Sequence, residues 1–292
     1  MSNAELNFSD KNSLLKWFEI NIADSFSEYL LIKEKVKKSD FPGAKRLIKK
    51  ENGNNLTNFL SFLSELNLAN NFLIKGVDKL EYEPCPGLDI DFSFDNIDVS
   101  VKNISTKKFE REELAEITRL KENGGGKSII GNKGLSETEI IVRNDGTSID
   151  DYTRIETGQS GFLGSDITLL QTALSSMGKF ETKIKNNGRK KVMIFLVYTK
   201  SFQYYHGLDI AWWYFNKELS DYVPILNDEA LYFKLFNSVN KLSNIDALIF
   251  IFPPNPIIWQ NGCLSEIIEG KRRSIILTKD AQFHKQLEKI FS

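Results

Sequence analysis

The sequence is poor in the residues that most often cross-link a fold or anchor chemistry. Its 292 residues include two cysteines, Cys85 and Cys263, far apart and without a CxxC partner. That argues against a disulfide framework or a structural zinc site and suits a reducing compartment, so a cytoplasmic location is expected. Histidine is equally scarce. His206 and His284 are 78 positions apart and lack ligand spacing, which argues against a histidine-based hydrolase or metal site; His206, in SFQYYHG, reads as part of an aromatic cluster. No hydrophobic run approaches the roughly 20 residues of a membrane span; the longest, such as 247–254, is far shorter. The N-terminus MSNAELNFSDKNSLL has no basic region leading into an apolar stretch, so no signal peptide and no membrane association are expected. A dominant charge is also lacking. The formal net charge is −1, so affinity for nucleic acid has to come from a local basic face.

What remains is ordinary globular material: 41% hydrophobic and 26% charged residues, enough to bury a sizeable core. Leu14, Leu15, Phe18, Ile22, Phe26, Tyr29 and Leu30 recur at three- and four-residue steps and predict a helix over 12–38, stopped by DFPG at 40–43. A second helix is predicted over 56–70, with Leu56, Phe59, Leu60, Leu63 and Leu66 on its buried stripe. The period then drops to two. LEYEP (80–84), DIDFSF (89–94) and IDVSVKNI (97–104) read as strands, the last two joined by a tight Asp95-Asn96 turn.

Beyond this, 107–120 reads as helix, and 121–166 is rich in glycine and polar residues, a mobile loop or an inserted hairpin around TEIIVRND. A helix follows at 167–185. VMIFLVY (192–198) and ALIFIF (247–252) are too apolar to alternate and read as fully buried strands, with helices between them at 209–218 and 228–242. SIILT (274–278) reads as an edge strand and 281–291 as a closing helix. The fold class is therefore α/β, a mixed central sheet flanked by helices. An N-terminal helical segment (1–50) precedes an α/β core (51–292) carrying a flexible insertion at about 121–166.

One ordered set of residues suggests chemistry. Glu65 lies on the helix before the sheet. Asp89 and Asp91 share one face of their strand, while Ile90, Phe92 and Phe94 point into the core. Ser100 and Lys102 share a face of the next strand, so the hairpin brings an aspartate and Lys102 toward one point. Hydrolysis of a phosphodiester uses such a point: a hard cation such as Mg²⁺ takes carboxylate oxygens, offsets charge on the phosphate and acidifies the attacking water. A neighbouring lysine orients or deprotonates that water, or stabilises the transition state. Each residue alone has a plainer reading, and Asp95 and Asp98 are expected to be turn and edge residues on a solvated face.

The stretch 56–104 resembles the PD-(D/E)XK nuclease superfamily, which includes many restriction endonucleases and repair nucleases. The residues that carry the resemblance are Glu65 in SFLSELNL, the run PGLDIDFSF, and IDVSVKNIS. The resemblance implies a restriction-endonuclease-like core and a Mg²⁺-dependent (or Mn²⁺-dependent) endonuclease acting on DNA. It makes Asp89 or Asp91 a metal ligand, Lys102 the catalytic lysine that acts on the attacking water, and Glu65 a helix carboxylate serving metal and catalysis. RNA is not distinguished from DNA as substrate, and homodimers are common among such enzymes. The chain departs from the pattern at one place: Ser100-Val101-Lys102 has serine where the family's triplet carries an acid. Either Glu65 or the second aspartate supplies that charge, or Asp98 does so by a shifted register, or the site is inactive. The inactive alternative is a nuclease-like fold that binds nucleic acid or protein.

Three clusters of basic residues are candidate phosphate contacts. Lys107 and Lys108, with Arg111, follow the proposed catalytic strand. Lys185, Arg189, Lys190 and Lys191, with Lys183, crowd the end of the 167–185 helix, where cations are also favoured by the helix dipole. Lys271, Arg272 and Arg273 form the third. GGGKS (124–128) fails as a phosphate loop, because Lys121 stands where the motif needs glycine. AWWYF (211–215) reads as core.

Overall fold

The computed structural model describes residues 11–21, 23–52, 56–85, 87–104, 116–117, 119–120, 122–132, 136–142, 152–158, 173, 175–181, 183, 187–197, 244–253, 258–259, 263–268 and 271–292. The expected helices 209–218 and 228–242, the AWWYF run, His206, and most of the helix at 107–120 lie outside these residues. So do Lys107, Lys108 and Lys185.

The chain divides into two compact units. The first comprises residues 1–103, 179–198 and 243–292, and the second 104–178 and 199–242. In the first unit, the helices α1 (Lys11–Asn21), α2 (Ala23–Lys38), α3 (Ala44–Lys49) and α4 (Leu56–Ile74) precede a six-stranded sheet. Its order is β1 (Glu81–Tyr82), β2 (Phe92–Phe94), β3 (Ile97–Ile104), β7 (Lys190–Val197), β8 (Ala247–Ile251) and β11 (Ser274–Thr278). β1, β2 and β3 are antiparallel, β7 and β8 parallel, and β11 antiparallel to β8, so the sheet is mixed. The C-terminal helix (Ala281–Phe291) closes the unit, capped by Asp280, whose side chain accepts from the backbone N–H groups of Gln282 and Phe283.

The helices are bound to the sheet through one apolar cluster. Phe72 of α4 is fully buried, with its ring centroid 5.3 Å from that of Phe92, 5.0 Å from Phe94 and 5.8 Å from Phe291. Burying a side chain of this size stabilises by about 1.5–3 kcal/mol. Leu14, Phe18, Tyr29, Val36 and Leu47 of the first three helices belong to the same cluster. The apolar residues described in α1, α2 and α3 thus pack into the same core as α4 and the sheet.

The first predicted helix is two, α1 and α2. The hairpin at Asp95-Asn96 forms as expected, with Asp95 at φ 47°. β2 is shorter than DIDFSF, because residues 89–91 leave the regular ladder. Gly43, at φ 89°, opens α3 against β1, and a Cβ there would lie 2.2 Å from the Tyr82 carbonyl oxygen. That close approach brings Tyr82 N–H to Pro42 O at 2.8 Å and ties the helical segment to the sheet edge.

The second unit contains an antiparallel sheet of β4 (Gly126–Asn132), β5 (Ser136–Val142) and β6 (Tyr152–Gly158). The inserted-hairpin reading of 121–166 is thus the one the structure takes, with a third strand added. β9 (Ile267–Ile268) and β10 (Lys271–Arg272) make a separate small pair in the first unit. Among the described residues no helix is long and apolar enough to cross a membrane.

Candidate functional site

The site is built where β2 gives way to the preceding loop. Register pairs Phe92 with Val99 and Ser93 with Asp98. One residue earlier the ladder changes: Asp91 N–H donates to Val99 O at 2.8 Å, and Val101 N–H donates to the Asp91 side chain at 2.6 Å. A carboxylate thus takes the place of a strand carbonyl, and Asp91 sits level with Ser100. Two residues further back, Asp89 accepts from Lys102 Nζ at 2.7 Å. Of the two aspartates it is thus Asp89 that meets Lys102, while Asp91, two residues on, is held by the backbone of β3.

Glu65 reaches the same region from α4. It is buried to 9% exposure and accepts hydrogen bonds from Tyr82 Oη and, at 2.9 Å, from Lys50 Nζ. Burial, and then the Glu65 charge, push the Asp91 carboxyl up to about 6, against the opposing pull of the Val101 N–H, Lys102 and Lys50. The Tyr82 phenol is pushed up by burial and then by Glu65, so it stays protonated and a donor.

Lys50 and Glu83 belong to this constellation although the strand and helix pattern did not single them out. Lys50 Nζ lies 2.9 Å from Glu65, 3.1 Å from Glu83 and 5.0 Å from the Tyr82 ring centroid. Burial works against its ammonium, but the charges and hydrogen bonds of Glu65 and Glu83 outweigh that and raise its pKa. Lys50 opens a single 3₁₀ turn (Lys50–Asn52) between α3 and α4, too short for periodicity to mark a residue. Its only sequence signal is proximity to the start of α4.

Ser100 is fully buried, and its hydroxyl has no partner among the described residues. The triplet's first position therefore brings no carboxylate. Among the described residues no three Asp, Glu, His or Cys side chains stand grouped as a ready metal cage; Asp89 is paired with Lys102 and Glu65 with Lys50.

Asp98 corrects one expectation. It is not a solvated edge residue: it is 2% exposed and lies at the centre of a buried polar network. Ser93 Oγ donates to it at 2.8 Å, Asn187 Nδ2 at 3.1 Å and Arg189 Nε at 2.7 Å, and Lys191 Nζ closes the set. Burial opposes its charge, but these four donors, Lys191 foremost, hold its carboxyl below the usual carboxylate range. Asp98 is thereby committed elsewhere and does not supply the charge missing at Ser100.

The same network changes the reading of the second basic cluster. Lys191 is 3% exposed and turned inward, and the Arg189 guanidinium is shared among Asp98, Ser93 Oγ and Ile97 O, so both are engaged inside the fold. Lys190 keeps partial exposure but faces Asp246 at 3.1 Å. In the third cluster, Arg273 pairs with Glu266 at 2.6 Å. No protein-family model, curated protein or solved structure matches this chain, so the chemistry of the site is argued from its own residues.

Proposed function

We propose that the protein is a cytoplasmic, Mg²⁺-dependent endonuclease that hydrolyses phosphodiester bonds in DNA, on a restriction-endonuclease-like core. The observation that carries the reading is the meeting of Asp89, Asp91 and Lys102 on one hairpin, with the Glu65 carboxylate close enough to raise Asp91. The residues fit a hard divalent cation. Every donor is a carboxylate oxygen, the ligand type a hard cation takes, and Mg²⁺ needs only one or two of them beside its waters.

Asp91, Asp89 and Glu65 would hold the ion, which, when bound, offsets charge on the phosphate and acidifies the attacking water. Asp91 is fixed for this by the Val101 N–H, and Glu65 by Tyr82 and Lys50. Lys102, steered by Asp89, orients the water and donates to the oxygen on which charge develops.

The test is Lys102→Ala in a Mg²⁺-dependent cleavage assay on duplex DNA, single-stranded DNA and RNA. Cleavage is expected to fall by roughly 10²–10⁴-fold with an unchanged circular dichroism spectrum. Cleavage at the wild-type rate by the folded variant overturns the assignment.

Ser100 favours a second reading, a catalytically inactive nuclease-like fold that binds nucleic acid or protein. The serine sits buried and unpartnered where the family's triplet carries an acid. Calorimetry with Mg²⁺ and Mn²⁺ separates the two readings: no heat of binding in the millimolar range favours the inactive one.

A further inference from the structure

Within the proposed site, Glu65, Glu83 and Asp89 are already paired with lysines of the chain itself. Lys50 Nζ bridges Glu65 at 2.9 Å and Glu83 at 3.1 Å, and its charge also acts on Asp91. The ammonium also lies 5.0 Å from the centroid of the Tyr82 ring, and Tyr82 itself donates to Glu65. One ammonium thus serves three carboxylates that stand on three separate segments: α4, the residue after β1, and the residue before β2. A divalent ion drawing on Glu65 and Asp91 needs the same oxygens and the same counter-charge.

We propose that Lys50 is a tethered competitor for the divalent ion: it occupies Glu65 in the metal-free protein, and it is displaced when metal binds. This rests on the reading of the site as a metal-dependent nuclease, and it adds a positioning residue that the nuclease pattern does not contain. The consequence is a charge exchange at Glu65. Without metal, Lys50 keeps like-charged carboxylates from repelling one another and holds Glu65 in place. With metal, the ammonium gives up Glu65 and retains Glu83, half-exposed at the rim.

The experiment is calorimetric titration of the full chain with Mn²⁺ and Mg²⁺ at fixed pH and salt, for wild type, Lys50→Met and Lys50→Arg. The Lys50→Met protein is expected to bind roughly tenfold more tightly, the size of effect that one charge exerts on a neighbour within a few ångströms. Lys50→Arg, which keeps the charge and grips carboxylates with a planar fork, is expected to bind no more tightly than wild type. Without metal, Lys50→Met is expected to melt at a lower temperature than wild type, and saturating Mn²⁺ to close that gap; a merely structural lysine would lower melting equally with and without metal.

A second measurement needs no variant that must fold: the ¹⁵N signal of the Lys50 ammonium in wild type is expected to shift on Mg²⁺ saturation. Metal binding by wild type with unchanged or weaker binding by folded Lys50→Met, or an unmoved Lys50 signal at saturation, overturns the competitor role and leaves the nuclease reading standing. No binding by either protein overturns the metal site, and the competitor role with it.

Discussion

Asp91 is pressed from two sides. Burial strips water from its carboxyl, and Glu65 adds a like charge, so its pKa in the folded protein rises from 3.8 to about 6. The native state therefore holds a proton that the unfolded chain has already released between those values. Stability falls as pH rises through that window, and the full cost is present above it. Asp91→Asn removes the charge but keeps an oxygen to accept from Val101 N–H. At pH 7.5 it is expected to be more stable than wild type by about 1–3 kcal/mol, with the difference gone near pH 3.5, as read by urea unfolding at both pH values. A variant less stable than wild type at pH 7.5 sinks this account. Alternation alone made Asp89, Asp91 and Lys102 legible in the sequence, since a two-residue period fixes which side chains share a face. Lys50 and Glu83 were not legible: a turn residue and a residue beyond a two-residue strand reach the site only through tertiary packing.

At the scale of elements, the buried network at Asp98 joins β3 to β7. Lys190 N–H donates to Asn96 O at 2.7 Å, so the two strands begin side by side and run in the same direction. Asp98 secures that start by accepting from Arg189 and Lys191, which lie at the start of β7 and just before it. Two cations here depend on one carboxylate, and Lys191 is nearly as buried as Asp98. Removing one partner of a buried pair leaves an uncompensated charge, so Asp98→Ala is expected to cost about 3–5 kcal/mol. Asp98→Asn, which still accepts hydrogen bonds, is expected to cost less. Chemical denaturation measures both, and a loss under 1 kcal/mol for Asp98→Ala would show the network to be dispensable. Sequence reasoning placed Asp98 in solvent because alternation assigns a polar residue to the open face of a hairpin. It does not reveal that the side chains of Asn187, Arg189 and Lys191, nearly a hundred residues later, reach Asp98 from the neighbouring strand and the turn before it. The apolar strands β7 and β8 were legible for the opposite reason: with no alternation at all, they had to be buried on both sides.

At the scale of the molecule, the division expected at residue 50 and the units in the structure differ, and the difference has a measurable consequence. Phe18 and Tyr29 are at most 1% exposed, and their rings lie 5.5 and 6.0 Å from that of Phe59 in α4. Glu51, 2% exposed, accepts from Tyr29 Oη and pairs with Lys33 at 2.5 Å and with Lys11. A chain starting at residue 51 would expose Phe59 and its apolar neighbours, each worth about 1.5–3 kcal/mol, and strand the Glu51 charge without its cations. Against a total stability of about 5–15 kcal/mol, that loss is decisive. The fragment 51–292 is expected to show no cooperative unfolding transition and to stay unfolded even with Mn²⁺, whereas the full chain unfolds cooperatively. A fragment that melts cooperatively would mean that the N-terminal helices only decorate the sheet. The sequence hid this dependence because an amphipathic helix advertises that it has an apolar face, not which surface covers it. Here the covering surface is α4, which carries Glu65, so the helices that look like an appendage hold the candidate site in place.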